Sequence, residues 1–307
     1  MPIPAIAVHG GSGTIPKSLQ KPKVKQRYFD ALQQALGIGF EMLQDNKSAL
    51  ETVAEAVCSL EDCELFNAGK GSVFTAKGDH EMDAALMEGT KQKAGAVTGI
   101  QGVKNPVLLA KKVMEQSQYV FLGGKDATEF AHQQGLEFKP SSYFDTQYRY
   151  DQWQQVKGSE AVKLDHSSED DQKFGTVGAV AVDRDGHVAA ATSTGGLTNK
   201  AWGRIGDSPI IGAGTYANNK TCAVSCTGYG EFFIRGVAAY DVSCLMEYKG
   251  LSLEQAAATV INKRVKKLGG TGGLISVDAQ GNIAMPYSSE GMYRGMKNSH
   301  DSFTQIY

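Results

Sequence analysis

Glycine fills 36 of the 307 positions, about 12% where about 7% is usual. Glycine is retained where a Cβ would clash or where the backbone needs a conformation that L side chains avoid. The excess therefore describes a fold with many close approaches and tight turns. Proline stays at 8, and no Gly-x-y period exists, which excludes a collagen-like chain. Hydrophobic side chains at 41% and charged ones at 21% supply a sizeable core and exclude disorder. The length fits one large or two modest domains.

A formal charge of −2 and a pI near 6.3 argue against nucleic-acid or anionic-membrane partners, since both require a basic face. No apolar run approaches the roughly 18 residues of a membrane span. Cys58, Cys63, Cys222, Cys226 and Cys244 form no CxxC pair and the histidines are scattered, so a zinc site is not expected. An odd cysteine count points to a reduced, cytoplasmic chain. The opening Met-Pro-Ile-Pro-Ala-Ile-Ala-Val-His lacks a basic region and reads as a first strand, not a signal peptide.

Periodicity sets the remaining elements. After a strand at Ile3 to His9, Tyr28, Leu32, Ala35, Leu36, Phe40 and Leu43 recur at helical spacing across residues 23 to 43. A second helix is expected from Leu50 to Leu60, then a glycine loop at Phe66 to Ser72. Strands at Met82 to Met87 and Ala94 to Gln101 precede a helix opened by Asn105-Pro106 and ending near Gln116. Helical pieces near Ala127 to Gln134 and Asp145 to Val156 close this half. Residues 157–174 are poor in apolar side chains and crowded with charge, as expected of a linker. A hairpin follows, Thr176 to Val182 and His187 to Thr192, around Asp183-Arg184-Asp185-Gly186. Strands near Ile210 and at Cys222 to Cys226, helices at Glu231 to Tyr248 and Leu253 to Leu268, and a hairpin at Gly273 to Pro286 complete the pattern. Elements in blocks favour an α+β fold with helices on mostly antiparallel sheets.

Several motifs fail in context. Gly212-Ala-Gly214-Thr-Tyr-Ala217 has dinucleotide-fingerprint spacing, but Asn218-Asn219-Lys220 turns into a strand where that fingerprint must open a helix. No phosphate-binding Gly-x-x-x-x-Gly-Lys-Ser/Thr loop exists. His9-Gly10-Gly11 echoes a hydrolase oxyanion strand without a Gly-x-Ser-x-Gly elbow to serve. The junction Gly175-Thr176 leaves two readings open. It is a plain strand start, or it is a cleavage site whose freed α-amine, with an intrinsic pKa of about 7.7 to 8.0, takes the proton of the Thr176 hydroxyl. In the second case one residue supplies nucleophile and base, and Gly175 tolerates the strained backbone that self-cleavage needs.

The surroundings favour the second reading. His9-Gly-Gly-Ser-Gly-Thr14, Phe66-Asn-Ala-Gly-Lys-Gly71, Gly175 to Asp183, Ala190-Ala-Thr-Ser-Thr-Gly-Gly196, Asn199-Lys200, Gly203-Arg-Ile-Gly-Asp-Ser-Pro209 and Ser225-Cys-Thr-Gly-Tyr-Gly-Glu231 resemble, in order along nearly the whole chain, the plant-type asparaginases or isoaspartyl peptidases, and above all their bacterial members. The resemblance implies the N-terminal-nucleophile hydrolase fold, a four-layer αββα sandwich formed by residues 1–307 as a single domain. It implies self-cleavage before Thr176 into an α subunit of residues 1–175, with 157–174 as a flexible linker, and a β subunit of residues 176–307, assembled as an (αβ)₂ heterotetramer. The implied substrates are β-aspartyl dipeptides and L-asparagine.

The family's site maps onto Thr176 as nucleophile and Thr194 as the threonine that orients it. Arg204 and Asp207 map onto the pair that holds the substrate's α-carboxylate and α-ammonium, a task suited to a guanidinium beside a carboxylate. Thr227 and the Gly228 N–H map onto the oxyanion hole, Gly230 onto a substrate contact, and Asn67 onto a residue that assists precursor and site. The backbone carbonyls of Leu60, Glu61, Cys63, Phe66, Ala68 and Lys70 map onto a structural sodium loop, with no cofactor needed for catalysis. Tyr229 occupies a variable position at the pocket entrance. The alternatives are a glycosylasparaginase-type amidase, whose members are typically exported and disulfide-bonded, a taspase-like protease, or an uncleaved amino-acid-binding protein.

Overall fold

The computed structural model describes residues 2–13, 21–158 and 175–307. The charged stretch expected as a linker lies outside them from residue 159 onward, as does Thr14.

Strand β1 (Ala5–Gly13) alternates between two cores: Ile6 and Val8 enter one hydrophobic cluster, Ala5 and Ala7 the other, as the two-residue period of a pleated strand requires. It does not stop at His9. Past a bulge at Gly10, Gly11 to Gly13 continue the pairing with β11 (Gly291–Asn298). Together with β2 (Met82–Glu88), β3 (Ala94–Ile100), β4 (Phe121–Gly123), β5 (Val177–Val182), β6 (Val188–Thr194) and β12 (Ser302–Gln305), these form an eight-stranded sheet of order β12-β11-β1-β5-β6-β2-β3-β4. Only β3 and β4 pair in parallel.

Helices α1 (Pro22–Gln44), α2 (Ala49–Glu61) and α3 (Pro106–Gln116) pack on one side of this sheet. Proline opens α1 and α3, where its missing N–H has no partner to lose. Ser48 and Glu51 close a capping box on α2. α4 (Gly124–Gln133) and α5 (Gln147–Gln154) follow. A four-stranded antiparallel sheet, β10-β9-β8-β7, contains β7 (Thr215–Ala217), β8 (Cys222–Gly228), β9 (Gly272–Asp278) and β10 (Ile283–Ala284). Its strands β8 and β9 contact β1 and β5, while α7 (Ala238–Lys249) and α8 (Leu253–Thr259) pack on β8 and β9 respectively. Between the sheets lie small side chains such as Ala7, Val180, Ala190 and Val224, which allow close approach. The architecture is α+β.

Three expectations change. Ile210 lies in a turn, accepting from the N–H groups of Ala213 and Gly214 at 3.0 and 3.1 Å, and the strand forms later at β7. The helix expected over Glu231 to Tyr248 breaks at Val237, where φ is 47°, into α6 (Gly230–Gly236) and α7. There the carbonyls of Ala213 and Gly212 accept from Ala239 and Tyr240, capping α7 from outside. The helix expected over Leu253 to Leu268 ends as α8 at Thr259 and continues as a π-turn over Val260–Val265. Strands β4, β11 and β12 were not expected. β11 is buried on both faces, Tyr293 in one cluster and Met292 in the other, so it carries no polar alternation to read.

Candidate active site

Strands β5 and β6 pair with Val177 opposite Ser193, which brings Thr176 and Thr194 to the same end of neighbouring strands. The other sheet faces that end with Thr227 and Gly228, the last residues of β8. Thr176, Thr194, Arg204, Asp207, Gly228 and Tyr229 line one pocket, with Gly175 and Ser12 beside them. Its interior holds about 20 Å³, space for a single water.

The Thr176 hydroxyl is buried and lies 3.3 Å from Ser208 Oγ. The resemblance assigns that contact to Thr194. In the uncut chain the Thr194 hydroxyl instead accepts from Gly196 N–H at 3.0 Å, within the turn that leaves β6. At Thr227 the Ser12 N–H donates to Oγ1 at 3.2 Å and Ser12 Oγ donates to the carbonyl at 2.9 Å. With an oxygen lone pair engaged, the Thr227 proton is left to donate, and a Cβ on Gly175 would stand 3.2 Å from that oxygen. The Thr227 hydroxyl is thus a donor close to Gly175, of the kind that stabilises an anion in acyl transfer. Gly11, at φ 111°, comes so near that its Cβ would meet Gly175 N at 2.4 Å. This close approach requires a glycine.

Arg204 and Asp207 do not pair with each other. Arg204 donates Nε and one terminal nitrogen to the Glu231 carboxylate, both at 2.9 Å. That bond occupies the side edge of the guanidinium and leaves its NH1 end for a second carboxylate. One Asp207 oxygen, Oδ2, is buried without a hydrogen-bond partner. Burial raises the Asp207 pKa to about 7, with Arg204 pulling the other way. A cation placed there would complete its bonding. Gly230 sits against both groups: a Cβ on it would be 2.9 Å from Asp207 Oδ1 and 3.0 Å from Arg204 NH2.

Asn67 lies in the loop after α2. Its amide donates to Gly196 O at 2.7 Å and accepts from Val73 N–H at 3.1 Å, tying this loop to the turn beyond Thr194. In the same loop a Cβ on Gly69 would meet Glu61 O at 2.3 Å, and one on Gly71 would meet Phe66 O at 2.1 Å. Carbonyl oxygens thus crowd glycine positions, a donor set that fits a hard cation such as sodium. The Lys70 ammonium lies 5.7 Å from the centre of the Tyr143 ring, away from that role, so only its carbonyl could contribute.

The sequence model of the asparaginase family matches residues 2–306. An isoaspartyl peptidase of Escherichia coli (strain K12) is 50% identical over 302 residues, covering 97% of this chain and 94% of that protein. The chain belongs to the asparaginase family. A plant-type L-asparaginase of Pyrococcus horikoshii is 42% identical over 306 residues, covering 96% of each chain. A protein of Arabidopsis thaliana named as a probable isoaspartyl peptidase/L-asparaginase is 42% identical over 325 residues, covering 98% of each.

In this asparaginase-family chain, sequence reasoning gave no role to several residues that shape the pocket. Ser208 and Glu231 belong to motifs already singled out, Gly203 to Pro209 and Ser225 to Glu231, but a lone serine or glutamate carries no spacing signal. His9 was set aside for want of a serine elbow, yet it is buried, with Nδ1 at 3.0 Å from the Thr176 carbonyl. Among the described residues no helix is long and apolar enough to cross a membrane.

Proposed function

We propose that the chain is an autoproteolytic threonine hydrolase that removes N-terminal β-aspartyl residues from isoaspartyl dipeptides and converts L-asparagine to L-aspartate and ammonia. The observation that carries this reading is the gathering, in one pocket, of the Gly175–Thr176 junction, Gly228 and the Arg204 and Asp207 side chains, with the Thr227 hydroxyl beside Gly175. In the precursor, Thr176 Oγ attacks the Gly175 carbonyl carbon, the peptide nitrogen leaves as an amine, and water cleaves the resulting ester. The freed amine, with an intrinsic pKa of about 7.7 to 8.0, then takes the hydroxyl proton as Oγ attacks the β-carbonyl of the substrate. Thr227 O–H and Gly228 N–H donate to the oxyanion, and the protonated amine returns its proton to the leaving amine or ammonia. Water attacks the β-aspartyl ester on Thr176 and releases aspartate.

The substrate's α-carboxylate suits the free end of Arg204, and its ammonium suits the unpartnered Asp207 oxygen. Gly175 lines the pocket, so cleavage removes part of its wall and enlarges a space now too small for a dipeptide. The sheet and helix packings support the four-layer αββα sandwich of N-terminal-nucleophile hydrolases; within this proposal the chain is cut into residues 1–175 and 176–307 and paired as an (αβ)₂ heterotetramer. The carbonyls of Leu60, Glu61, Cys63, Phe66, Ala68 and Lys70 would hold a sodium ion that stiffens the loop anchored by Asn67. Five free thiols suit the cytoplasm.

The test is denaturing electrophoresis with kinetics on β-Asp-Leu and asparagine. The wild type is expected to give two fragments and turnover, and Thr176→Ala a single 32.8 kDa band without turnover. A cleaved, active Thr176→Ala protein, or an uncut wild type that only binds amino acids, sinks the reading.

A further inference from the structure

The polar groups behind Thr176 form a chain whose direction can be worked out atom by atom. His9 Nδ1 lies 3.0 Å from the Thr176 carbonyl oxygen. A carbonyl only accepts, so Nδ1 carries the proton. The ring is fully buried, and burial lowers its pKa from 6.5 to about 3, so the imidazole is neutral and Nε2 is an acceptor. Ser225 Oγ, 2.9 Å from Nε2, must then donate to it. Having given its proton, Ser225 Oγ accepts from Thr192 Oγ1 at 2.7 Å, and Thr192 Oγ1 accepts from Thr215 Oγ1 at 2.6 Å. Every donor points the same way and the chain ends on Thr176. Thr215 Oγ1 is also 3.1 Å from the Ser208 carbonyl, and the Ser208 hydroxyl faces Thr176 Oγ1. Thr215 has given its only proton to Thr192, so the Ser208 contacts lie beside this chain and are not links in it.

The fold makes room for this chain. His9 pairs across the sheet with Gly178 of β5, and a Cβ on Gly178 would lie 2.0 Å from Ser225 Oγ and 2.4 Å from His9 Nε2. The imidazole thus crosses β5 through the space a side chain would take and reaches β8 of the other sheet. The bulge after His9 sits where β1 passes the junction.

We propose that His9 is a positioning residue for the threonine hydrolase reaction: held by the Thr215–Thr192–Ser225 hydroxyl chain, it donates Nδ1–H to the Thr176 carbonyl and fixes the backbone that carries the attacking hydroxyl. The inference rests on Thr176 being the nucleophile. It assigns the work to one ring nitrogen, and two amides separate the nitrogens, because an asparagine amide reaches the Nδ1 position and a glutamine amide the Nε2 position. His9→Asn keeps the bond to Thr176 and loses that to Ser225, and His9→Gln does the reverse.

Self-cleavage half-times and kcat and KM on β-Asp-Leu are measured for both variants, with thermal midpoints alongside. His9→Gln is expected to lose about tenfold in kcat at unchanged KM, the worth of one buried hydrogen bond, while His9→Asn stays within a few-fold of wild type. Equal losses in the two variants, or losses that follow the thermal midpoints, overturn the proposal. If neither variant folds, Ser225→Ala leaves the ring and its Nδ1–H bond in place and removes the hydroxyl that holds Nε2. A several-fold fall in kcat at constant KM then supports the proposal, and an unchanged kcat overturns it. A wild type that does not hydrolyse β-Asp-Leu refutes the functional reading itself, whereas an active wild type matched by His9→Gln refutes only this inference.

Discussion

On one side of Thr176 the polar groups satisfy one another: His9, Ser225, Thr192 and Thr215 form an unbroken series of hydrogen bonds inside the protein. On the other side, Asp207 keeps an oxygen buried without a partner and Arg204 is bonded along only part of its guanidinium. Both walls are polar, and Asp207 is as buried as the first wall while Arg204 is partly exposed, so burial alone does not distinguish them. What differs is completion. A satisfied network holds groups where they are, whereas an unsatisfied buried carboxylate costs free energy until a cation meets it. The first wall fits a positioning task and the second a binding task.

Variants can break this comparison, and the largest effect belongs to the second wall. Arg204→Ala is expected to raise KM for β-Asp-Leu about 100-fold, the loss of a charge-assisted bidentate contact. Self-cleavage should stay intact, because the precursor offers no free α-carboxylate. An Arg204→Ala chain that stays uncut would move Arg204 from substrate binding to maturation. Ser208→Ala, which removes the hydroxyl facing Thr176 Oγ1, should instead lower kcat about tenfold with little change in KM. A KM effect there would merge the two walls.

Titration sharpens the contrast further. With its pKa raised to about 7, Asp207 is largely protonated at pH 6 and ionised at pH 8. KM for a substrate ammonium should therefore fall several-fold across that interval, and the slope should vanish in Asp207→Asn. A separate effect concerns stability. The folded-state pKa of His9 is depressed from 6.5 to about 3 by burial, so between these values the unfolded chain binds a proton that the folded one does not. Its contribution is present in full above pH 6.5 and is lost as pH falls toward 3. Urea midpoints of His9→Asn should decline less steeply than those of wild type over that range, and parallel curves would argue against a neutral buried ring.

Most of the fold could be read from periodicity. α1, α2, α3 and the β5–β6 hairpin formed within one or two residues of expectation, because each buries one face and exposes the other or ends at a proline, a capping serine or an Asp-Gly turn. The misses share a cause. β11 is buried on both sides, Ile210 is apolar but held in a turn, and the helix after Glu231 breaks where carbonyls from a distant loop cap its second half. These are tertiary effects that no local pattern encodes. In the site, Thr176, Thr194, Arg204, Asp207, Thr227 and Gly228 were singled out through motif resemblance, and they line or border one pocket. Ser208 and Glu231 were not given roles, since their importance depends on which atoms they face. The glycine excess was legible as composition, whereas the space that Gly11 and Gly178 leave for Gly175 and His9 depends on how distant strands meet.

The order of strands in the large sheet has a mechanical consequence for a chain cut before Thr176. β1 comes from the first piece and lies between β11 and β5, both from the second, while β6 of the second piece pairs with β2 of the first. The two pieces are interleaved like the fingers of clasped hands. Neither can leave without breaking ladders on both flanks of β1, so the nicked protein should melt in a single cooperative step and release both fragments together.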